Sequence, residues 1–272
     1  MTDAPEQLRA YVDVWWEAVN DFTALLDKVP VDAWDTPTDL PGWDVRAVVA
    51  HTAHLESLVA GGEHEDVEIG AAPHARGMMG QFTEQGVVAR RDKTPDELVN
   101  EIRSSVTARH TQLLADPPAD PTAPAPGPYG AIGWDTRTLL RNRPLDVWMH
   151  EQDIRRALAM PGGMDSAGAG HAIGYLSASL GYVLAKKVKA PPGSSVVADV
   201  EGREPVGAMV TEEGRGVMLG EVPDDPTTGL RTDPESFILL AGGRRLPEPG
   251  RVEIFGDVAM GQLLLDHLAV TP

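Results

Sequence analysis

The sequence predicts an α+β protein of two domains, with a bundle of up to five helices in residues 1–190 and a small α/β domain in residues 191–272. First, apolar residues recur three and four positions apart through most of the first part, which is the spacing of one helix face. Second, short β-prone runs separated by Gly, Glu and Asp begin near residue 195. Third, a chain of 272 residues is long enough for two modest domains.

Five segments of the first part have the pattern of amphipathic helices, and each is followed by proline or glycine. The third segment has a standard helix start, because Thr94 is a good N-cap and Pro95 suits the first helical position. Pro144 lies inside the fourth segment and must kink the helix or mark a fresh start. The five predicted helices are residues 4–28, 43–60, 95–115, 132–159 and 166–189.

Two stretches of the first part are predicted to be loops. Residues 70–80 have no helical pattern, and residues 116–128 hold six prolines in thirteen positions and therefore few backbone donors. After residue 190 the sequence predicts strands and short helices bounded by turn residues. The predicted strands are residues 195–200, 206–211, 217–222 and 251–255, and the predicted helices are residues 233–240 and 257–268.

The composition excludes several classes of function. The chain has 41 acidic and 23 basic residues and a formal net charge of −18, which argues against nucleic acid or an anionic membrane as a partner. It has no cysteine, so thiol chemistry must use a borrowed thiol. No apolar run approaches the roughly 18 residues of a membrane span, and the N-terminus lacks the pattern of a signal peptide. We therefore expect a soluble, cytoplasmic protein.

A carboxylate and two histidines form the candidate metal site. Asp146 and His150 are four residues apart on the fourth predicted helix, so they share one face with Cβ atoms about 5–6 Å apart. Such a pair alone is more often a surface hydrogen bond than a metal site. His51 lies on an apolar stripe of the second helix, so the three side chains could converge inside the bundle. Three such ligands with an open fourth position are typical of a catalytic divalent ion, zinc or another metal that prefers imidazole.

Neighbouring residues allow more than one interpretation. His54, one turn after His51, is a fourth ligand, a substrate contact or, as we favour, a partly exposed helix histidine. Asp153 either accepts a ring N–H of His150 or pairs with Arg156 or Arg103. Separately, Gly242-Gly-Arg-Arg245 places two adjacent cations, Arg244 and Arg245, in a loop of an acidic protein. That loop is either a solvated turn or a clamp for carboxylates.

Two motifs give the chain a resemblance to a known family. Leu40-Pro-Gly-Trp-Asp-Val-Arg46 leads into Val49-Ala-His51, and the second motif is Asp146-Val-Trp-Met-His-Glu-Gln-Asp-Ile-Arg-Arg156. These resemble the signatures of the mycothiol-dependent maleylpyruvate isomerase family, which is common in actinobacteria. The resemblance implies a DinB-like helical bundle joined to a domain similar to sterol carrier protein, and Arg251-Val-Glu-Ile-Phe-Gly-Asp257 resembles the end of that domain.

The resemblance also implies ligands and a cosubstrate. The family holds its metal with one histidine of the second helix and a carboxylate and a histidine four apart, which are His51, Asp146 and His150 here. The characterised isomerase type has glutamate where this chain has Asp146, so geometry and activity are expected to differ. An arginine of the C-terminal domain is implicated in catalysis in the family, and Arg244 or Arg245 matches it best.

The family's chemistry implies that the cation lowers the pKa of mycothiol, a small thiol, so that a nucleophilic thiolate exists at neutral pH. The thiolate adds to a conjugated double bond and leaves again in a cis–trans isomerase, or stays on an electrophile in an S-transferase. We favour S-transfer, because a single isomerisation reaction cannot account for the many members of so large a family. Hydrolysis by a bound water is a variant. The alternative from another class is a non-catalytic small-molecule or lipid-binding protein in which the bundle is a scaffold.

Overall fold

The computed structural model describes residues 3–271 and contains a helical unit and a unit built on one sheet. Helix α2 contacts four of the other helices in the first unit and is buried on most sides. The prediction of a two-part α+β fold is therefore confirmed. The first seven helices of the described residues are α1 (Ala4–Leu26), α2 (Val45–Val59), α3 (Gly77–Ala89), α4 (Pro95–Ala115), α5 (Gly127–Ala131), α6 (Thr136–Ala157) and α7 (Ala167–Ser177).

Capping side chains fix where several of these helices begin. Thr94 and Glu97 form a reciprocal capping box at the start of α4, as the Thr94–Pro95 pattern predicts. Asp44 caps α2 by accepting from the backbone N–H of Ala47, and Asp135 caps α6 in the same way. Pro144 lies within an uninterrupted α6, so it does not mark a fresh start.

Two helices of the first unit were not predicted. The predicted loop 70–80 overlaps α3, whose buried surface is limited to Glu84, Gly86 and Val87, so its sequence has little helical periodicity. The proline-rich segment is followed by the short helix α5, which begins at Gly127 inside the predicted loop. Both helices contact α2. They therefore complete the surroundings of the helix on which the candidate site depends.

The single helix predicted over residues 166–189 is wrong. The chain forms α7, then the short α8 (Leu180–Tyr182) and a π-helical turn at Val183–Lys187. Contacts divide the chain into Met1–His171 and Ala172–Pro272, so the division falls before the predicted boundary at residue 190. The physical reason is packing, because α8 and the π-helical turn contact strands β2 (Val206–Val210) and β3 (Gly216–Met218).

The second unit is a five-stranded mixed sheet in the order β3-β2-β1-β4-β5. The central strands β1 (Ser195–Val200) and β4 (Thr228–Thr232) are parallel, and the other pairs are antiparallel. The sequence did not predict β4, whose Thr-Gly-Leu-Arg-Thr sequence has no apolar alternation. Gly229 is needed there, because a Cβ atom would lie 2.1 Å from the ring of Phe255 on the neighbouring strand. The remaining elements are β5 (Val252–Gly256), α9 (Pro234–Ala241) and α10 (Val258–His267).

Within residues 3–271, none of the helices combines the length and the apolar character that crossing a membrane requires.

Candidate metal centre

Helices α2 and α6 bring His51, Asp146 and His150 together in the interior of the first unit. One nitrogen or oxygen of each residue lies within 4.8 Å of the others. Nε2 of His51 is 3.7 Å from Oδ2 of Asp146, and Nε2 of His150 is 3.8 Å from Oδ1. The two imidazole rings meet edge to face, with centroids 4.8 Å apart. The (i, i+4) spacing on α6 supplies two of the groups, and the packing of α2 against α6 supplies the third.

These distances fit ligands of one ion better than hydrogen bonds. Both exceed the roughly 3.2 Å limit of a normal N–H···O bond. Two atoms each about 2.1 Å from a tetrahedral ion are about 3.4 Å apart, which is close to the observed spacings. Two imidazoles and a carboxylate therefore have the chemistry and the spacing of a zinc-type site.

His150 is oriented by a buried carboxylate. Its Nδ1 is 3.1 Å from Oδ2 of Asp153, which is fully buried. A proton on Nδ1 leaves Nε2 with a lone pair directed at the site, which is the usual arrangement of a metal-ligating histidine. The other oxygen of Asp153 accepts from Arg156, which also pairs with Asp39. Both interactions suggested for Asp153 by the sequence are thus present, whereas Arg103 pairs with Asp27 instead.

Asp146 is held by a chain of buried polar groups that the sequence did not reveal. Nη2 of Arg143 lies 3.1 Å from Oδ2 of Asp146. The same guanidinium donates twice to Oε1 of Glu56, at 3.1 and 2.7 Å, and Oε2 of Glu56 accepts from the indole of Trp15 at 3.1 Å. Glu56 is fully buried, and Arg143 is 3% exposed.

The surroundings set the charges of the candidate ligands. Burial opposes ionisation of Asp146, but the nearby Arg143 guanidinium outweighs it and keeps the pKa of this carboxyl well below its ordinary value. Burial lowers the pKa of His51, against the favourable contact with Asp146. At neutral pH the site therefore offers an ionised carboxylate and a neutral imidazole, the protonation states that bind a metal ion.

An indole ring covers one side of His51. The Trp43 ring lies 4.8 Å from that of His51, centroid to centroid. Its Nε1 donates to Oε2 of Glu84 at 2.9 Å, and Nε2 of His74 lies 3.0 Å from the same oxygen. Glu84 lies on α3, the helix that was not predicted, which explains why sequence reasoning missed it.

The predicted arginine pair lies in the second unit, directly after α9. Arg244 donates to the backbone carbonyl of Gly242 and, at 3.0 Å, to the hydroxyl of Thr271. Arg245 is exposed. Of the residues predicted to be functional, the structure thus gathers His51, Asp146 and His150, with Asp153 behind them.

His54, which we expected to be partly exposed, is fully buried. It lies against Arg90 and the Glu65 side chain rather than beside the three candidate ligands.

Comparison with known proteins identifies the family. The family model described as "Mycothiol maleylpyruvate isomerase N-terminal domain" matches residues 15–155, and that described as "MDMPI C-terminal domain" matches residues 171–262. The fold and site are those of a helical-bundle protein with a second, sheet-based domain. The chain belongs to the mycothiol maleylpyruvate isomerase family.

Solved structures with the same fold include the mycothiol-dependent maleylpyruvate isomerase and a histidine-to-alanine mutant of it. The isomerase has a TM-score of 0.56 and 14% identity, and the match covers 93% of this chain and 95% of its own. The mutant has a TM-score of 0.56 and 15% identity, and the match covers 92% of this chain and 100% of its own. An uncharacterized protein from each of two Mycobacterium tuberculosis strains is 25% identical over 146 residues, which are 52% of this chain. The chain spans about half the length of these curated relatives, 53%.

Proposed function

We propose that this chain is a mycothiol-using enzyme in which His51, Asp146 and His150 hold a divalent ion, most plausibly zinc. The observation that carries the proposal is the spacing of the three side chains, which is too long for hydrogen bonds and suits ligands of one ion. Membership of the family supports mycothiol as the thiol. The absence of cysteine is consistent with a thiol that comes from outside the chain.

The chain's own residues would prepare the site for thiol chemistry. Asp146 is ionised at neutral pH, and Asp153 keeps a proton on Nδ1 of His150, so Nε2 faces the site as a lone pair. Trp43 and the buried surroundings limit access of water to His51. When bound, a zinc-type ion supplies a positive charge that lowers the pKa of a thiol, so that the nucleophilic thiolate is present at neutral pH.

Two outcomes share the same first bond. In both, the mycothiol sulfur forms a bond to an electrophilic carbon of a small molecule. In isomerisation the bond breaks again after rotation about the former double bond, and the thiol is recovered. In S-transfer the C–S bond remains, the π bond is lost, and the proton released by the thiol ends on the neighbouring carbon, so the product is a thioether. The names of the structural relatives favour isomerisation, whereas the size of the family favours transfer, so product analysis after incubation with an unsaturated dicarboxylate distinguishes them.

Arg244 and Arg245 are our candidates for binding an acidic substrate. Guanidinium groups bind carboxylates through paired hydrogen bonds, which lysine does not reproduce. Substitution of the functional arginine by lysine should raise KM for an acidic electrophile and leave the metal content unchanged. If neither Arg244→Lys nor Arg245→Lys changes turnover of such a substrate, this assignment is wrong.

The experiment that tests the proposed function measures metal and thiol together. Metal content by elemental mass spectrometry and mycothiol consumption with a test electrophile are compared for the wild type, His150→Ala and Asp146→Asn. His267→Ala is the matched control, because His267 is exposed at the end of α10. We expect each site variant to lose one equivalent of metal and its mycothiol consumption, and the control to keep both.

Unchanged metal content in His150→Ala and Asp146→Asn would refute the metal site. Loss of the ion with unchanged mycothiol consumption would refute its role in thiol chemistry. Retention of small-molecule binding by a protein that never turns over mycothiol would favour the alternative, a non-catalytic binding protein.

A further inference from the structure

A second group of histidine and glutamate side chains lies beside the candidate metal centre without belonging to it. His54 follows His51 by one turn of α2, and His64 and Glu65 lie in the segment after that helix. One nitrogen or oxygen of each of the three lies within 4.8 Å of the others. His54 is fully buried, and the side chain of Glu65 is 35% exposed.

Within residues 3–271, each of the two histidines of this group has a buried ring nitrogen without a hydrogen-bond partner. Among the described residues, Nε2 of His54 and Nδ1 of His64 have no partner, whereas Oε2 of Glu65 lies 3.1 Å from Nδ1 of His54. Buried polar atoms are nearly always paired in folded proteins, because leaving one unpaired costs about 1–3 kcal/mol. Two such nitrogens on neighbouring rings, with a carboxylate beside them, therefore indicate a ligand that satisfies them together.

The tautomer of His64 is fixed by a neighbouring amide. The Nε2 of Gln85 donates to Oδ1 of Asp66 at 3.0 Å and to the backbone carbonyl of Val67 at 3.2 Å. Oε1 of Gln85 is therefore the atom that faces Nε2 of His64, at 3.0 Å, and this oxygen accepts a hydrogen bond from the Nε2–H group of His64. Nδ1 of His64 is left as an unprotonated lone pair, which is a ligand atom and not a donor.

The electrostatic surroundings of this group parallel those of the first site. There, Arg143 links the ligand Asp146 to a second carboxyl, Glu56. Here, Nη2 of Arg90 binds Oε1 of Glu65 at 2.8 Å and Oε1 of Glu101 at 2.7 Å.

At both sites two carboxyl groups contact one guanidinium, so the positive charge of the arginine is balanced. Lys93, 39% exposed, also pairs with Glu101 but is screened by solvent.

The rings are held by close packing. A Cβ atom on Gly86 would lie 2.1 Å from Cγ of His54, so the glycine of α3 makes room for this imidazole. The ring of Phe82 stacks on that of His64, with centroids 4.0 Å apart and an angle of 14°. Burial, together with the charge of Arg90, lowers the pKa of His54 to about 4. The imidazole is therefore neutral at pH 7 and able to bind a metal.

We propose that His54, His64 and Glu65 form a second divalent-cation site, for zinc or another transition metal that binds imidazole, separate from the site of His51, Asp146 and His150. The donor set of two imidazoles and one carboxylate is typical of such ions. An ion there links the segment that carries His64 and Glu65 to helix α2. Its expected role is to order this segment beside the first site, and the proposal does not depend on the thiol chemistry proposed above.

The test removes the first site and asks whether an ion remains. In the His51→Ala/His150→Ala double variant, zinc is titrated by calorimetry and counted by elemental mass spectrometry after gel filtration. We expect one equivalent in this background and none after His64→Ala or Glu65→Gln is added. Glu65→Gln preserves shape at a partly exposed position, so it serves if His64→Ala fails to fold. His267→Ala is again the control and should keep the equivalent.

Two further measurements distinguish a designed site from weak surface binding. Gln85→Leu, which removes the acceptor for His64, should weaken zinc binding in the same background by about tenfold. Hydrogen exchange of residues 62–67 should slow when zinc is added, and not in the Glu65→Gln variant. Absence of zinc from the double variant, or retention of it after both His64→Ala and Glu65→Gln, would overturn the proposal. If the wild type and the His51→Ala/His150→Ala variant bind the same single equivalent of zinc, the proposed function is refuted and the second site is retained.

Discussion

Replacement of Asp153 by asparagine tests whether the buried carboxylate behind His150 tunes the first site. Asp153 is fully buried, with Oδ2 3.1 Å from Nδ1 of His150 and its other oxygen on Arg156. Asparagine keeps the shape and an acceptor but removes the charge, so the imidazole becomes a weaker ligand. Loss of such an outer partner typically costs 10–100-fold in metal affinity. Because the acceptor remains, we expect about tenfold, which is about 1.4 kcal/mol.

The dissociation constant for zinc is measured by competition with a chelator of known affinity, in a background that also carries Glu65→Gln, so that only the first site is counted. Asp39→Asn is the matched control, because Asp39 contacts Arg156 at 3.0 Å and is one step farther from His150. We expect the control to change the constant less than Asp153→Asn does. Equal effects of the two variants, or an unchanged constant in a folded Asp153→Asn protein, would contradict the reasoning.

Three other predictions concern the interior of the first unit. Glu56→Ala should lower the free energy of unfolding by about 3–5 kcal/mol in urea titrations, because it leaves the buried Arg143 without its main partner; a loss below 1 kcal/mol would count against the buried pair. Burial raises the pKa of Tyr129 to about 12, so absorbance titration should show one late-ionising tyrosine that is missing from Tyr129→Phe. Since the unfolded phenol ionises near pH 10, the free energy of unfolding should fall by about 2–3 kcal/mol as pH rises from 10 to 12. The same pH dependence in the Tyr129→Phe variant would exclude this. Gly86→Ala should lower stability by about 1–3 kcal/mol through its clash with His54, and an unchanged melting temperature would show that the ring moves freely.

The candidate ligands could be predicted because they rely on local spacing. Asp146 and His150 are four residues apart on one helix, and the helix pattern continues through Pro144. His51 belongs to a predicted helix with an apolar stripe, so its inward direction followed from periodicity. Spacing along the chain did not predict that α2 packs against α6. The resemblance of the two motifs to those of the family led us to expect that His51 joins Asp146 and His150.

The residues behind these ligands could not be predicted, because their partners are far away in the sequence. Arg143 and Glu56 are 87 positions apart, and Trp43 and Glu84 are 41 positions apart. No local pattern marks such pairs as partners. Glu84 was also hidden by its helix, since α3 buries few residues and has weak periodicity. The same weakness hid β4, whose central place in the sheet depends on pairing with β1 and β5.

Helix α2 explains why two groups of metal-ligating side chains lie close together. A helix that contacts four neighbours is expected to be apolar all round, because a buried polar group without a partner is costly. Yet α2 buries His51, His54 and Glu56 within two turns.

His51 faces Asp146 on α6, His54 contacts Glu65 in the segment after α2, and Glu56 contacts Arg143 on α6 and Trp15 on α1. Glu56 is satisfied within the protein by Arg143 and Trp15, whereas both histidines keep a ring nitrogen that is buried and unpaired. A cation bound by His54 would engage its unpaired Nε2, whereas His51 would bind one through Nε2, the nitrogen that faces Asp146, and would keep Nδ1 unpaired.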